Sequence, residues 1–203
     1  MAERHLVIMV KEPLAGRVKT RLGRDIGMTD AAWWFRWQTR TLVRRLARDP
    51  RWRTVLAVAP DAAGMRSRFW PVGTARIPQG SGDLGQRMRR IFRRLPPGPA
   101  VIIGADIPGI TPALIWSAFR ALGRAPAVVG PATDGGYWLV GLRRVQAVSP
   151  FLFADVRWSG PHALADTLRT LPPPIATVGT LSDVDTIHDL ARLSCPAGRG
   201  RPS

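Results

Sequence analysis

Of the thirty lysine and arginine residues in the chain, only Lys11 and Lys19 are lysine, and they stand eight positions apart. Lysine is a compact point charge and arginine a planar fork, so the two do not substitute freely where a phosphate is gripped. Two lysines kept in one segment therefore point to a geometric requirement at Lys11–Leu22. There Lys11, Lys19 and Arg21 could neutralise a di- or triphosphate, and Gly16 could let backbone approach it closely. The alternative is chance spacing in a basic chain. Carboxylates are the second chemical resource. Glu3 and Glu12 are the only glutamates, so acid chemistry falls to aspartate. Asp106 follows the apolar run Ala100–Gly104, a place that suits a ligand for a hard divalent cation, although it could equally cap a turn. Asp183 and Asp185 alternate and point the same way if extended, or Asp185 caps a helix. Asp134, in a Gly-flanked turn, could serve as general base or merely shape a hairpin. Gln79 opens a glycine-rich loop running to Gly85. Its amide could read a base edge by paired hydrogen bonds, or the loop could be a turn with Asp83 as N-cap.

These residues need elements to hold them. His5–Val10 is short, apolar and β-branched and reads as a buried strand, as do Thr54–Ala59, Ala100–Gly104 and Tyr137–Leu142. Ala75–Ile77, Ala127–Gly130 and Ile175–Val178 are shorter strands. Helices are expected from Thr29 or Asp30 to Arg48, near Ala62–Trp70, over Leu84–Leu95, from a Thr111 cap to Leu122, over Pro161–Leu171 and over Thr186–Leu193. Trp33, Trp34 and Trp37 are expected in the core, with a base-stacking platform as the alternative. Strands alternating with helices give an α/β fold: three layers, α/β/α, around a mainly parallel, Rossmann-like sheet. Ligands of such sheets bind beyond the carboxyl ends of the strands. Every candidate loop follows a strand, so one topology could gather them on one rim.

Bulk properties narrow the function. The 203 residues suffice for one domain, expected over residues 1–194, with 195–203 a disordered tail. A net charge of +16 favours anionic partners. The arginines are scattered over helices, however, so nucleic acid is not the expected partner. The single cysteine gives no disulfide and no zinc spacing, which fits a reducing, cytoplasmic setting. No apolar run reaches membrane-spanning length, and no membrane partner is expected. Neither a Walker loop nor a dinucleotide fingerprint occurs.

Five ordered motifs carry a family resemblance: K-x-P-x-x-G-x-V-K-T-R-L, Q-G-x-G-D-L-G-x-R-M, G-A-D-I-P-G, G-P-A-x-D-G-G-Y-W-L-V-G-L and D-V-D-T-x-x-D-L. Together, from Leu6 to Leu193, they resemble a little-characterised bacterial family of glycosyltransferase-A-fold proteins. Some members are arsenosugar-biosynthesis-type glycosyltransferases, and the family is similar to molybdopterin and phospholactate nucleotidyltransferases. The resemblance implies a nucleotide-diphospho-sugar transferase fold of the GT-A type and a metal-dependent transfer from a nucleotide-sugar to a small-molecule acceptor. Nucleotidyl transfer from a nucleoside triphosphate to a phosphorylated acceptor is the alternative. It further implies that Lys11, Gly16, Lys19 and Arg21 grip phosphates, and that Gln79, Gly80 and Gly85 recognise the base. Asp106 and either Asp183 or, by preference, Asp185 would hold Mg2+ or Mn2+, and Lys19 and Arg21, nearest the phosphates, would serve catalysis. Asp134 stands in a family signature, and its catalytic role as base rests on the residue's own chemistry. One departure stands out: Asp106-Ile107-Pro108 supplies one carboxylate where glycosyltransferases of this fold carry Asp-x-Asp. A non-catalytic nucleotide- or nucleic-acid-binding module is the reading from a different class. Steep loss of affinity with salt would mark it.

Overall fold

The computed structural model describes residues 2–184 and 186–194. Seven strands form one sheet: β1 His5–Lys11, β2 Arg53–Ala59, β3 Ala75–Pro78, β4 Ala100–Gly104, β5 Ala127–Pro131, β6 Tyr137–Leu142 and β7 Ile175–Thr177. Their order across the sheet is β3-β2-β1-β4-β6-β5-β7. All neighbours are parallel except β6, which runs against both β4 and β5. β1 lies between β2 and β4, in register from His5 opposite Arg53 and Ala100.

The strands are apolar on both faces because both faces are covered. Alternation divides β1 between two cores. Leu6, Ile8 and Val10 pack with Leu42, Val43 and Leu46 of α2 (Met28–Ala47) and with Ile115, Ala118 and Phe119 of α5 (Pro112–Ala121). Val7 faces the other layer, with Met88, Ile91 and Phe92 of α4 (Leu84–Arg94) and Ala163 of α6 (Ala163–Leu168). The expected three-layer α/β/α architecture with a mainly parallel sheet is the observed one. Local signals set the boundaries. Thr111 Oγ1 accepts from Leu114 N at 3.3 Å, ahead of Pro112. Asp83 and Gln86 form a reciprocal capping box that opens α4.

Three expectations are corrected. The segment after β1 is not loop throughout: α1 runs over Thr20–Ile26 and turns at Gly27 into α2, while α3 covers only Asp61–Arg66. Nor do the tryptophans of α2 all enter the core. Trp33 and Trp37 are 64% and 65% exposed, and only Trp34 is partly buried. The buried stripe of this helix is carried by Ala31, Phe35, Leu42 and Leu46 instead. Among the described residues, no helix is long and apolar enough to cross a membrane. The expected tail 195–203 lies outside the described residues.

Candidate functional site

Lys19 and Asp106 are 87 residues apart in sequence and meet at the carboxyl-end rim of the sheet. Lys19 Nζ donates to Asp106 Oδ2 at 3.0 Å. The lysine side chain is 5% exposed and the aspartate 40%. Parallel pairing of β1 with β4 brings them together: Met9 is opposite Gly104, so the chain leaving each strand opens on the same rim. Lys19 adopts φ 47° and ψ 46°, left-handed values uncommon for a side chain with a Cβ, and its carbonyl accepts the first bond of α1 from Gly23 N at 2.8 Å. Val18, packed against Ala32 and Phe35, anchors the segment on α2. Gly104 leaves space beside Asp106. A Cβ on Gly104 would meet its Oδ1 at 3.0 Å, so the bare glycine makes room for the carboxylate.

Three cavities share Lys11 in their lining. One of about 320 Å³ is lined by Lys11, Arg17, Lys19, Arg21 and Asp106. A second, about 490 Å³, shares Lys11 and Asp106 and extends over Asp83, Arg87, Met88, Tyr137 and Trp158. A third, about 560 Å³, runs between Lys11, Arg17, Pro60, Gly80, Ser81 and Arg87. The largest cavity, about 790 Å³, lies at the opposite, amino-terminal end of the strands, among Arg4, Arg48, Trp52 and Arg53. Volume favours it, but the rim cavities hold the carboxylate, both lysines and the sheet's carboxyl ends, where open α/β sheets bind ligands.

The remaining candidates fall as follows. Gly16 has φ 74° and open space where a Cβ would stand. Arg21 lines the first cavity. Gln79 is 3% exposed, and its amide nitrogen donates to Val10 O at 3.1 Å and Ala57 O at 2.8 Å. The nitrogen that would read a base edge is thus engaged by the ends of β1 and β2. Gly80 N donates to Asp61 Oδ1 at 3.0 Å, and at φ 78° the residue lies under the Arg90 guanidinium. Gly85 is buried, and a Cβ there would meet Phe153 and Trp158 at 2.7 and 2.8 Å. Its smallness lets α4 approach the 151–158 segment, whose Trp158 lines the second cavity. Asp134 occupies the turn of the β5–β6 hairpin, where its Oδ1 accepts from Gly136 N at 2.9 Å. Since β6 runs against β4, that turn lies on the same rim. Asp134 does not line the cavities that hold Asp106. Leu181, just before Asp183, is bound beside the turn through Thr133 N to Leu181 O at 3.2 Å. Asp185 lies outside the described residues.

Arg87, Tyr137 and Trp158 were given no role by the sequence reading, although Arg87 and Tyr137 stand inside quoted motifs. Arg87 lines two of the cavities and donates from Nε to Gly82 O at 2.8 Å. Tyr137 and Trp158 meet edge to face with centroids 6.4 Å apart. Burial pushes the Tyr137 hydroxyl above its ordinary pKa, so it stays protonated at any working pH. The wall behind Trp158 is fixed by Asp166. Arg157 donates to it from N at 3.0 Å, Nε at 2.8 Å and Nη2 at 3.0 Å, and Arg169 Nη2 approaches at 2.9 Å. The Arg157 hydrogen bonds hold the Asp166 carboxyl well below the usual range.

Comparison with known proteins supports the same fold. A 1.90 Å crystal structure from Desulfovibrio desulfuricans G20, provisionally described as a nucleotide-diphospho-sugar transferase, superposes with a TM-score of 0.85. Identity is 29%, over 95% of this chain and 87% of that one. The 4-diphosphocytidyl-2C-methyl-D-erythritol synthase of Anaerococcus prevotii DSM 20548 gives 0.58 at 10% identity, over 95% and 96% of the two chains. Rv0371c of Mycobacterium tuberculosis H37Rv, in complex with manganese, gives 0.54 at 20% identity, over 94% and 97%. At such identities the last two show the fold alone. No curated protein sequence matches the chain. The Desulfovibrio and Anaerococcus proteins carry descriptions of nucleotide-sugar or nucleotidyl chemistry, and the description of Rv0371c gives no activity. One family model matches residues 42–160, over half of the sequence, and the chain therefore belongs to the bacterial family described as "Uncharacterized protein conserved in bacteria (DUF2064)".

Proposed function

We propose that the protein is a metal-dependent transferase that takes a nucleotide-sugar and passes its sugar to a small-molecule acceptor. The observation that carries this reading is the Lys19–Asp106 pair at the sheet rim, among cavities that also hold Lys11, Arg17 and Arg21. Asp106, with Asp185, is the proposed carboxylate set for Mg2+ or Mn2+. Among the described residues Asp106 supplies the oxygen ligand, and hard cations fill their shell from one or two carboxylates, substrate phosphates and water. The cradle at Gly104, which leaves room for the Asp106 carboxylate, fits such an ion. When bound, the ion would offset charge on the diphosphate. Lys11, Lys19 and Arg21 do the same from the protein side. As the bond from the sugar carbon to the diphosphate oxygen breaks, the leaving oxygen keeps the electron pair, and these cations stabilise it. The acceptor hydroxyl forms the new bond to that carbon and releases its proton to a base on the acceptor side. Asp134, on the same rim but outside the cavities of Asp106, is the proposed base, which requires the acceptor to span from that turn to the sugar. Gly16, Gly80 and the Gln79 scaffold shape the nucleoside side, and Arg87 stands between the two larger cavities.

A second reading has a specific observation behind it. Asp106 is followed by buried Ile107 and by Pro108, so one carboxylate stands where the glycosyltransferase pattern has two. That favours nucleotidyl transfer, in which an acceptor phosphate oxygen attacks the α-phosphorus and pyrophosphate leaves. A binding panel of nucleoside triphosphates, diphosphates and nucleotide sugars, each with and without Mg2+ or Mn2+, separates the readings. Ligands that bind the folded state raise the melting midpoint by mass action. Nucleotide-sugar preference is expected, and triphosphate preference would transfer the assignment. Asp106→Ala, with Asp106→Asn as the shape-preserving control, should abolish the metal-dependent part of binding. Equal affinity with and without metal in the wild type rejects the site.

A further inference from the structure

The outer face of α2 carries an unexpected pattern. Trp33, Arg36, Trp37, Arg40 and Arg44 are all exposed. At 100° per residue they fall within a stripe about 100° wide along one side of the helix. Arg36 stands 5.4 Å over the Trp33 ring and 5.1 Å over the Phe69 ring, which joins the stripe to the segment after α3. Asp30 is the one acidic residue of the helix, and it sits in the first turn, where a carboxylate complements the helix dipole. Two adjacent tryptophans about two-thirds exposed form an apolar patch that calls for a partner. The arginines among them require that partner to be anionic.

We infer that this face of α2 docks on an anionic lipid surface, with the two indoles at headgroup level and the arginines on lipid phosphates. Indoles partition to the membrane–water boundary, and basic side chains reach headgroups while their stems stay apolar. Each Arg near an anionic leaflet adds to the attraction. A second copy of the chain is disfavoured, because an isologous contact would bring Arg36, Arg40 and Arg44 against their own equivalents. A nucleic-acid strand is disfavoured by shape, since stacking platforms for strands line grooves and this face is a convex cylinder. The expectation of no membrane partner rested on the lack of a spanning segment, and surface docking needs none. On the opposite side of the helix, Phe35 lines the cavity of Lys19 and Arg21, so the docked face lies about one helix diameter from the rim.

The test is co-sedimentation of the full chain with phosphatidylcholine vesicles and with equal mixtures of phosphatidylcholine and phosphatidylglycerol. Binding to the mixed vesicles is expected, weakening at high salt. Trp33→Ser with Trp37→Ser should lower it by about tenfold or more, and Arg40→Glu with Arg44→Glu should also lower it. Unchanged melting of these exposed-site variants confirms that they fold. Absence of binding to anionic vesicles overturns the proposal. So does full retention in the tryptophan variant, which would leave only general polyanion attraction. A dimer in solution that the tryptophan variant loses, or tryptophan-dependent binding of a single-stranded oligonucleotide without vesicle binding, also overturns it. Asp106→Ala should sediment as the wild type does, which separates this outcome from that of the transferase reading.

Discussion

The ammonium of Lys19 reaches Asp106 on an almost wholly buried stem. An arginine at this position would bring a longer, planar head to a space shaped for a point donor, and its extra N–H groups would lack partners. Lys19→Arg should therefore weaken nucleotide binding about tenfold, or roughly 1.4 kcal/mol, with melting little changed. Titration calorimetry with the best ligand from the panel checks it, and unchanged affinity would remove the argument from lysine usage. Residue choice made this position legible: in a chain that uses arginine almost everywhere, the two lysines marked the segment. Gln79 was legible only as part of a motif. That its amide nitrogen bonds the carbonyls of Val10 and Ala57 depends on two strands meeting there, which local sequence does not encode. Gly85 likewise reads as loop chemistry in sequence, but its bareness serves the contact with Phe153 and Trp158, about seventy positions away.

At the level of elements, the strands were legible because a two-sided sheet needs unbroken apolar runs, and Ala100–Gly104 and Tyr137–Leu142 have the boundaries expected. The helices capped by Thr111 and Asp83 were equally readable. What failed was α2: three tryptophans near helical spacing look like a buried stripe, yet the true stripe passes through smaller residues and leaves two indoles outside. Hydrophobicity alone does not distinguish a face that meets the core from one that meets something else. The loop between β6 and α6 depends on Asp166, whose carboxylate ties Arg157 to the helix. Its pKa is depressed in the folded state, so its stabilisation is complete above the unfolded-state range of about pH 4 and is lost as the pH falls toward the folded value. Asp166→Asn should lower the denaturation midpoint at neutral pH, and the gap to the wild type should narrow on acidification. Urea melts across pH measure both. A gap that stays constant would mean that the contribution does not arise from ionisation.

Taken as one body, the molecule carries +16 charges, and any anion is drawn to it. Salt therefore separates attraction in general from recognition at the rim. A polyanion binder loses affinity steeply with ionic strength, whereas a pocket that needs base, diphosphate and metal together retains its preferences. Within this positive field, the bond between Lys19 and Asp106 has a thermodynamic consequence. Each partner is the other's internal competitor. A cation arriving alone must displace an ammonium from the carboxylate, and a diphosphate arriving alone must draw that ammonium from its aspartate. Arriving together, they exchange one neutral arrangement for another, cation to carboxylate and phosphate to ammonium. The two ligands should then bind with positive cooperativity, each raising the other's affinity by the same factor. Calorimetric titration of metal with and without a saturating nucleotide would read that factor directly, and a factor of one would mean that the pair does not gate the site.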